Sequence, residues 1–192
     1  ALARKGHEVS ALTLREFPEK EWNKIRVFTY TLIAKNTKGI NPLIIDYESK
    51  IIRGEACMNA AIELKNAGYI PELIIAHPGW GEALFMKQIW PNARLKLYCE
   101  FFYHTSGYDV DFDDEFFAAS DTHLAGVFLK NSHLLLNLQA ADAGLSPTNF
   151  QANTFPAHFR SKISAIHEGI DTQALRPHLN VTFELKKGHV LT

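Results

Sequence analysis

Cysteine is scarce: only two occur among the 192 residues, which leaves no material for a disulfide framework or a thiolate metal cluster. Cys57 and Cys99 lie far apart, in helix-like and strand-like surroundings, and both read as buried thiols of a reducing compartment. An excess of one charge is also lacking. Lys and Arg number 20 against 21 Asp and Glu, a net charge of −1, so the whole chain gives no electrostatic reason to expect nucleic acid or an anionic membrane as partner. No apolar run approaches the roughly 20 residues needed to span a bilayer. Internal repeats and low-complexity segments are absent too. What remains is 46% hydrophobic and 21% charged, the balance of a soluble globular protein, at a length that suits one substantial domain.

The hydrophobic pattern alternates between strand and helix. Residues 1–5 read as the last turn of a helix closed by Gly6. Strands are expected over 8–14, 25–32, Leu73–Ala76, 93–103, the "AGLSPT" stretch and "KISAIHEGID". Helices are expected over 46–68, ending at a glycine, over 81–90, ending at Pro91, and over 118–140. Ser146-Pro147 reads as a further helix start with proline at the first helical position. Strands alternating with helices predict βαβ units: an α/β, Rossmann-like parallel sheet with helices on both faces. Residues 1–180 read as one domain, and 181–192 as a linker or the start of another unit.

The stretch "PELIIAHPGWGEALF" (71–85) combines a strand end, a histidine and two glycines. As a dinucleotide fingerprint it fails. Gly79 and Gly81 supply the first pair, but Leu84 occupies the third glycine position and no acidic residue closes the next strand. The plain alternative is a tight turn that needs small residues. His77 points further, because it stands at the carboxyl end of a parallel strand, the edge where open α/β sheets bind ligands. A helix N-terminus just beyond it would suit an anionic or hydroxyl-rich ligand, and a histidine there can orient or deprotonate a hydroxyl. "AIHEGID" repeats the arrangement with His167, Glu168 and Gly169 at the same predicted edge, which favours a cleft over a mere corner. His123 and His133, inside the long helix, read as packing or surface residues.

"YDVDFDDEF" (108–116) imitates two metal motifs. Asp109 and Asp111 form a D-x-D, but no apolar strand leads into it. As a calcium loop it has Asp114 where the turn glycine belongs and Ser120 where the bidentate glutamate belongs. A solvated acidic loop is the better reading, and no metal is expected.

"LARKGHEVSALTL", "AHPGWGEALFMKQIWPNARLKLYCEFFY" and "NSHLLLNLQAADAGLSPTNFQANTFPAHFRSKISAIHEGIDT" together resemble the N-terminal domain of bacterial family-four glycosyltransferases, over nearly the whole chain. The resemblance implies the GT-B plan, in which this domain binds the acceptor and a second domain, after residue 192, holds most of the nucleotide-sugar site. It implies retention of anomeric configuration, catalysis without a bound metal or other cofactor, and a nucleotide-sugar and a hydroxyl acceptor, lipid-linked in some members, as partners. His77 matches the histidine beside the reacting sugar. Gly79 and Gly81 shape its turn, and Glu100 and Tyr103 line the neighbouring strand end. His167, Gly169 and Asp171 match an "H-[ND]-G-[IV]-D" segment, with Glu168 where Asn or Asp is commoner. A first strand with a glycine-rich loop is implied ahead of Ala1. Without it the sheet is expected to be loosened or filled by another segment, and the chain alone inactive. The function implied is sugar transfer in polysaccharide or envelope glycan synthesis, in the cytoplasm or peripherally at the inner membrane face. The alternatives are a nucleotide-sugar 2-epimerase of the same architecture and a non-catalytic carbohydrate- or partner-binding module.

Overall fold

The structure, a computed structural model, describes residues 2–14, 16–17, 19–113, 115, 120–177, 183–186 and 189–191, the last two ranges in backbone only. Four strands form an all-parallel sheet in the order β4-β5-β6-β7: β4 (Leu73–Ala76), β5 (Arg94–Tyr98), β6 (Ala143–Ser146) and β7 (Ile163–Ala165). The register sets Ala76 opposite Leu97 and Leu145 opposite Tyr98, so the strands end along one common edge. Helices flank the sheet, as the Rossmann-like reading requires.

Three further strands make a separate sheet. β1 (Val9–Thr13) pairs in parallel with β3 (Ile25–Thr29), and β2 (Glu21–Trp22) pairs antiparallel with β3. Between β1 and β4 lies a cavity of about 350 Å³, lined by Ser10, Ala11 and Leu12 from one side and by β4, Glu82 and Trp90 from the other. Ser10 Oγ and Glu82 Oε2 are buried without a hydrogen-bond partner among the described residues, and both residues line this cavity. β1 and β4 belong to different sheets and are not hydrogen-bonded to each other.

The first core lies where β5 meets α4 (Ser132–Ala140), α5 (Asn149–Thr154) and α6 (Ala157–Arg160). Leu95, Leu97 and Cys99 are fully buried there against Leu134, Leu138, Phe155 and Phe159. Phe155→Ala is expected to cost about 3–5 kcal/mol, read as a drop in the urea unfolding midpoint, because it empties an aromatic site that is 1% exposed. A second core joins α1 (Ile45–Asn66) to α2 (Met86–Ile89) through Ala56, Cys57, Ala61, Met86, Ile89 and Trp90. Both cysteines are free and buried, and burial pushes each thiol up to about 12, which leaves them inert.

Asp142 ties the start of β5 to its neighbours. Its Oδ2 accepts from the Leu95 amide at 2.7 Å and from Lys87 Nζ at 2.9 Å, and these bonds, the backbone one first, hold its carboxyl below the ordinary range. A lowered native pKa means that this stabilisation is present above about pH 4 and is lost as pH falls through the depressed native value. Asp142→Asn should therefore lower Tm by about 1–3 °C at pH 7, the small size reflecting a half-exposed side chain, with the gap closing in acid.

Several elements are shorter than the pattern predicts. The helix expected over 81–90 is helical only at Met86–Ile89, because Gly81 takes a left-handed φ of 105° and breaks the first turn. The strand expected over 93–103 stops at Tyr98, after which Asn131 and Thr154 replace the sheet as backbone partners. The strand expected over 25–32 stops at Thr29. The long helix is two, α3 (Asp121–Leu129) and α4, parted at Lys130 and Asn131; Ala118 and Ala119 lie outside the described residues. Pro147 does not open α5: Thr148 is the cap, its Oγ1 accepting from Gln151 N, and Asn149 is the first helical residue. Ala3–Lys5 form a single 3₁₀ turn capped by Gly6 at φ 90°, with Ala1 outside the described residues. In the tail, β8 (Phe183–Lys186) and β9 (His189–Leu191) pair antiparallel, and the rest of 181–192 lies outside the described residues.

Candidate active site

β4 delivers His77 to the carboxyl edge of the parallel sheet, where it caps a 3₁₀ turn formed by Pro78–Trp80. Its Nδ1 accepts the Gly79 amide at 3.1 Å, and its Nε2 lies 3.1 Å from Glu100 Oε2. An Nδ1 that accepts leaves the proton of the neutral ring on Nε2, so His77 presents a donor and Glu100 receives it. The ring is stacked on Trp80, with centroids 4.6 Å apart, and tilts against Tyr98 at 5.9 Å. Trp80 is itself 56% exposed.

The two glycines are required for different reasons. A Cβ on Gly79 would lie 2.8 Å from His77 Cε1, so the imidazole folds over the turn only because that atom is absent. A Cβ on Gly81 would run into the backbone of Lys50, within 2.9 Å of its carbonyl carbon and closer still to its oxygen. Gly54 answers from α1, where a Cβ would stand 2.8 Å from the Gly81 carbonyl oxygen. Helix and turn thus meet backbone to backbone, which explains a glycine in a helix interior, where it otherwise costs about 1 kcal/mol.

From beneath, α4 grips the same turn. His133 Nε2 donates to the Gly79 carbonyl at 3.1 Å, and Asn137 Nδ2 donates to the Pro78 carbonyl at 3.1 Å. Burial pushes the His133 pKa down, which keeps the ring neutral. The segment after β5 is held as firmly. Asn131 Oδ1 accepts from Tyr103 N at 3.0 Å while its Nδ2 donates to Tyr103 O at 2.8 Å, and Phe102 N donates to Thr154 Oγ1 at 3.0 Å. These bonds fix the backbone that carries Glu100.

At the end of β7 the histidine turn is repeated. His167 Nδ1 accepts from Gly169 N at 2.9 Å, as His77 does from Gly79, and Gly169 has φ 80°. Glu168 reaches back across the edge and accepts from Tyr98 OH at 2.5 Å, which raises the tyrosine pKa to about 12. Trp80, His77, Tyr98 and Glu168 therefore stand in one row, with Glu100 beside His77.

The structure thus brings His77, Gly79, Gly81 and Glu100 into direct contact and joins Glu168 to them through Tyr98. His167 makes its hydrogen bond inside its own turn. Asp171 caps the next turn, its Oδ1 accepting from Gln173 N and Ala174 N at 3.0 Å each. Tyr103 packs its ring edge on Phe101 and lies under Lys130, whose Nζ is 5.2 Å from the ring centre. The expected helix N-terminus with free amides is not formed: the Gly79 amide is taken by His77 and the Leu84 amide by Gly81 O. Among the described residues no three His, Cys, Asp or Glu side chains converge in a metal-ligating group. Among the described residues no helix is long and apolar enough to cross a membrane.

Sequence reasoning missed Trp80, Tyr98, Asn131, His133 and Asn137. A faint signal existed for the last two: an i, i+4 polar pair in an otherwise apolar helix marks one face, here the face turned to the histidine turn. The sequence pattern of the glycosyl transferase family 4 group matches residues 5–175 of the chain, a span that holds every side chain of this edge. A comparison with curated proteins returns no significant match.

Proposed function

This chain belongs to the glycosyl transferase family 4 group, and on that premise we propose that it is the acceptor-side domain of an enzyme that moves a sugar from a nucleotide-sugar to a hydroxyl. The observation that carries this reading is the fixed His77 donor, flanked by Trp80 and Glu100, at the carboxyl edge of a parallel sheet. A stacked aromatic face, an N–H donor and carboxylate acceptors are the groups that recognise a polyhydroxylated ligand.

In this reading the protein contributes positioning and electrostatics. The acceptor oxygen bonds to the anomeric carbon as the sugar–diphosphate bond breaks, and the hydroxyl proton leaves with the departing nucleoside diphosphate. His77 orients a sugar hydroxyl with Nε2–H, Gly79 and Gly81 shape the wall that holds it, and Glu100 and Tyr103 line the adjoining strand end. His167, Gly169 and Asp171 form the second wall of the edge. The donor half is a further domain of the same polypeptide in a GT-B arrangement, and transfer retains configuration without a bound metal. The products belong to polysaccharide or envelope glycan synthesis on the cytoplasmic side, with lipid-linked acceptors among the candidates.

The test is a matrix of nucleotide-sugars against candidate acceptors with the full-length polypeptide, scoring nucleoside diphosphate and glycosylated product together. Acceptor-dependent release supports transfer. An epimerised nucleotide-sugar formed without any acceptor would replace it with the epimerase reading, and absence of turnover with every pair would count against an enzyme.

A further inference from the structure

The His77–Glu100 hydrogen bond joins two side chains that differ in freedom. His77 is held by three contacts: Nδ1 by the Gly79 amide, a ring face stacked on Trp80, and a tilted ring contact with Tyr98. Its side chain is 22% exposed, whereas that of Glu100 is 58% exposed. A carboxylate on a three-torsion stem at the surface moves at little cost, because water competes for an exposed hydrogen bond of this kind and leaves it little net strength. The imidazole cannot follow it.

We propose that a ligand hydroxyl enters by inserting into this bond, accepting from His77 Nε2–H and donating to Glu100. The separation of 3.1 Å between Nε2 and Oε2 would open to about 5 Å, the span of two consecutive hydrogen bonds that meet at one oxygen. Only a group that both accepts and donates completes the relay. A hydroxyl does so; an ether oxygen or a fluorine leaves the carboxylate without its proton donor. Glu100 is therefore a specificity-determining residue, and Trp80, stacked on the His77 ring and 56% exposed, offers the carbon skeleton that bears the hydroxyl an aromatic surface. That the hydroxyl belongs to the sugar-transfer acceptor rests on the function proposed above; the relay does not.

The experiment needs no donor sugar. Long-range proton–nitrogen spectra of the ¹⁵N-histidine-labelled chain resolve the tautomer of each imidazole. His77 is expected as the Nε2–H form. Methyl hexopyranosides of the gluco, manno and galacto series are then titrated while the His77 Nε2–H signal is followed. At least one of them should shift that signal. Glu100→Ala should weaken the effect about tenfold, the loss expected for one charge-assisted hydrogen bond. Glu100→Gln, which keeps an accepting oxygen, should recover part of it. The O-methyl or deoxyfluoro analogue at the responsive position should lose the shift in the unmodified chain and differ little between it and Glu100→Ala.

An Nδ1–H tautomer at His77 would overturn the proposal. So would a glycoside response that is equal in Glu100→Ala, or no response from any of the three series. A relay that holds in a polypeptide without transferase activity would leave this inference standing and defeat the transfer reading, so the two fail separately.

Discussion

Replacing His77 by alanine in the full-length enzyme is expected to lower kcat for sugar transfer about 10²–10³-fold, the usual size of a positioned donor or acid–base group at a reacting centre. The fold should survive. The ring is at the sheet edge, His77 belongs to neither core cluster, and the pieces it contacts are held by others: Gly79 and Pro78 by His133 and Asn137, and the 99–103 segment by Asn131 and Thr154. Thermal unfolding should move by no more than about 2–4 °C, equivalent to roughly 1 kcal/mol. His77→Gln, which can still place an N–H near Glu100, should recover part of the rate. If alanine left kcat unchanged and raised only KM, the residue would be a binding contact without a share in the transition state.

Gly81→Ala should be the most disruptive single-methyl change in the region. Two penalties coincide: a φ of 105° that L-residues rarely adopt, and a Cβ driven into the Lys50 backbone. A flexible side chain could step aside, but the α1 backbone cannot, because its neighbours Ile52, Ala56 and Cys57 are buried in the core. The expected loss is roughly 3 kcal/mol or more, a fall in Tm of about 6–12 °C. The turn carrying His77 and Trp80 would shift with it, so activity should fall even below the melting range. Gly79→Ala should differ in kind. Its Cβ meets only the His77 ring, so that ring should turn aside, with activity lost and stability largely kept. A pair of glycines two residues apart would thus separate support of the fold from support of the site.

Much of the architecture was legible because it is periodic. Apolar runs of four or five residues between helical patterns announced β4, β5 and β6, and the 22-residue α1 followed from its spacing and closing glycine. What periodicity could not give was where each element stops. β5 gives way where Thr154 and Asn131, distant in sequence, take over the backbone, and α2 starts late because the left-handed Gly81 breaks the turn ahead of it. The candidate site divides in the same way. His77 stood out as a strand-end histidine and Glu100 came only with the family resemblance, and the structure puts them within hydrogen-bonding distance. Trp80 and Tyr98 were not singled out, since an aromatic in a turn or at an apolar strand end carries no mark of which side it faces. His133 read as a packing or surface residue; it is buried, and its ring nitrogen supports the turn that carries His77. The cavity between β1 and β4 had no mark in the sequence, because it depends on how two separate sheets pack.

That cavity supplies the sharpest contrast for the central claim, that the sheet edge at His77 receives the acceptor. The direct measurement is backbone chemical-shift mapping on the ¹⁵N-labelled chain, titrated with the acceptor that supports transfer in the full-length enzyme. The account predicts perturbations grouped at His77, Gly79, Trp80, Tyr98, Glu100 and Glu168, with Ser10, Leu12 and Leu73 undisturbed. Perturbations centred on Ser10, Leu12 and Leu73, with the His77 edge silent, would place the acceptor in the cavity and contradict it.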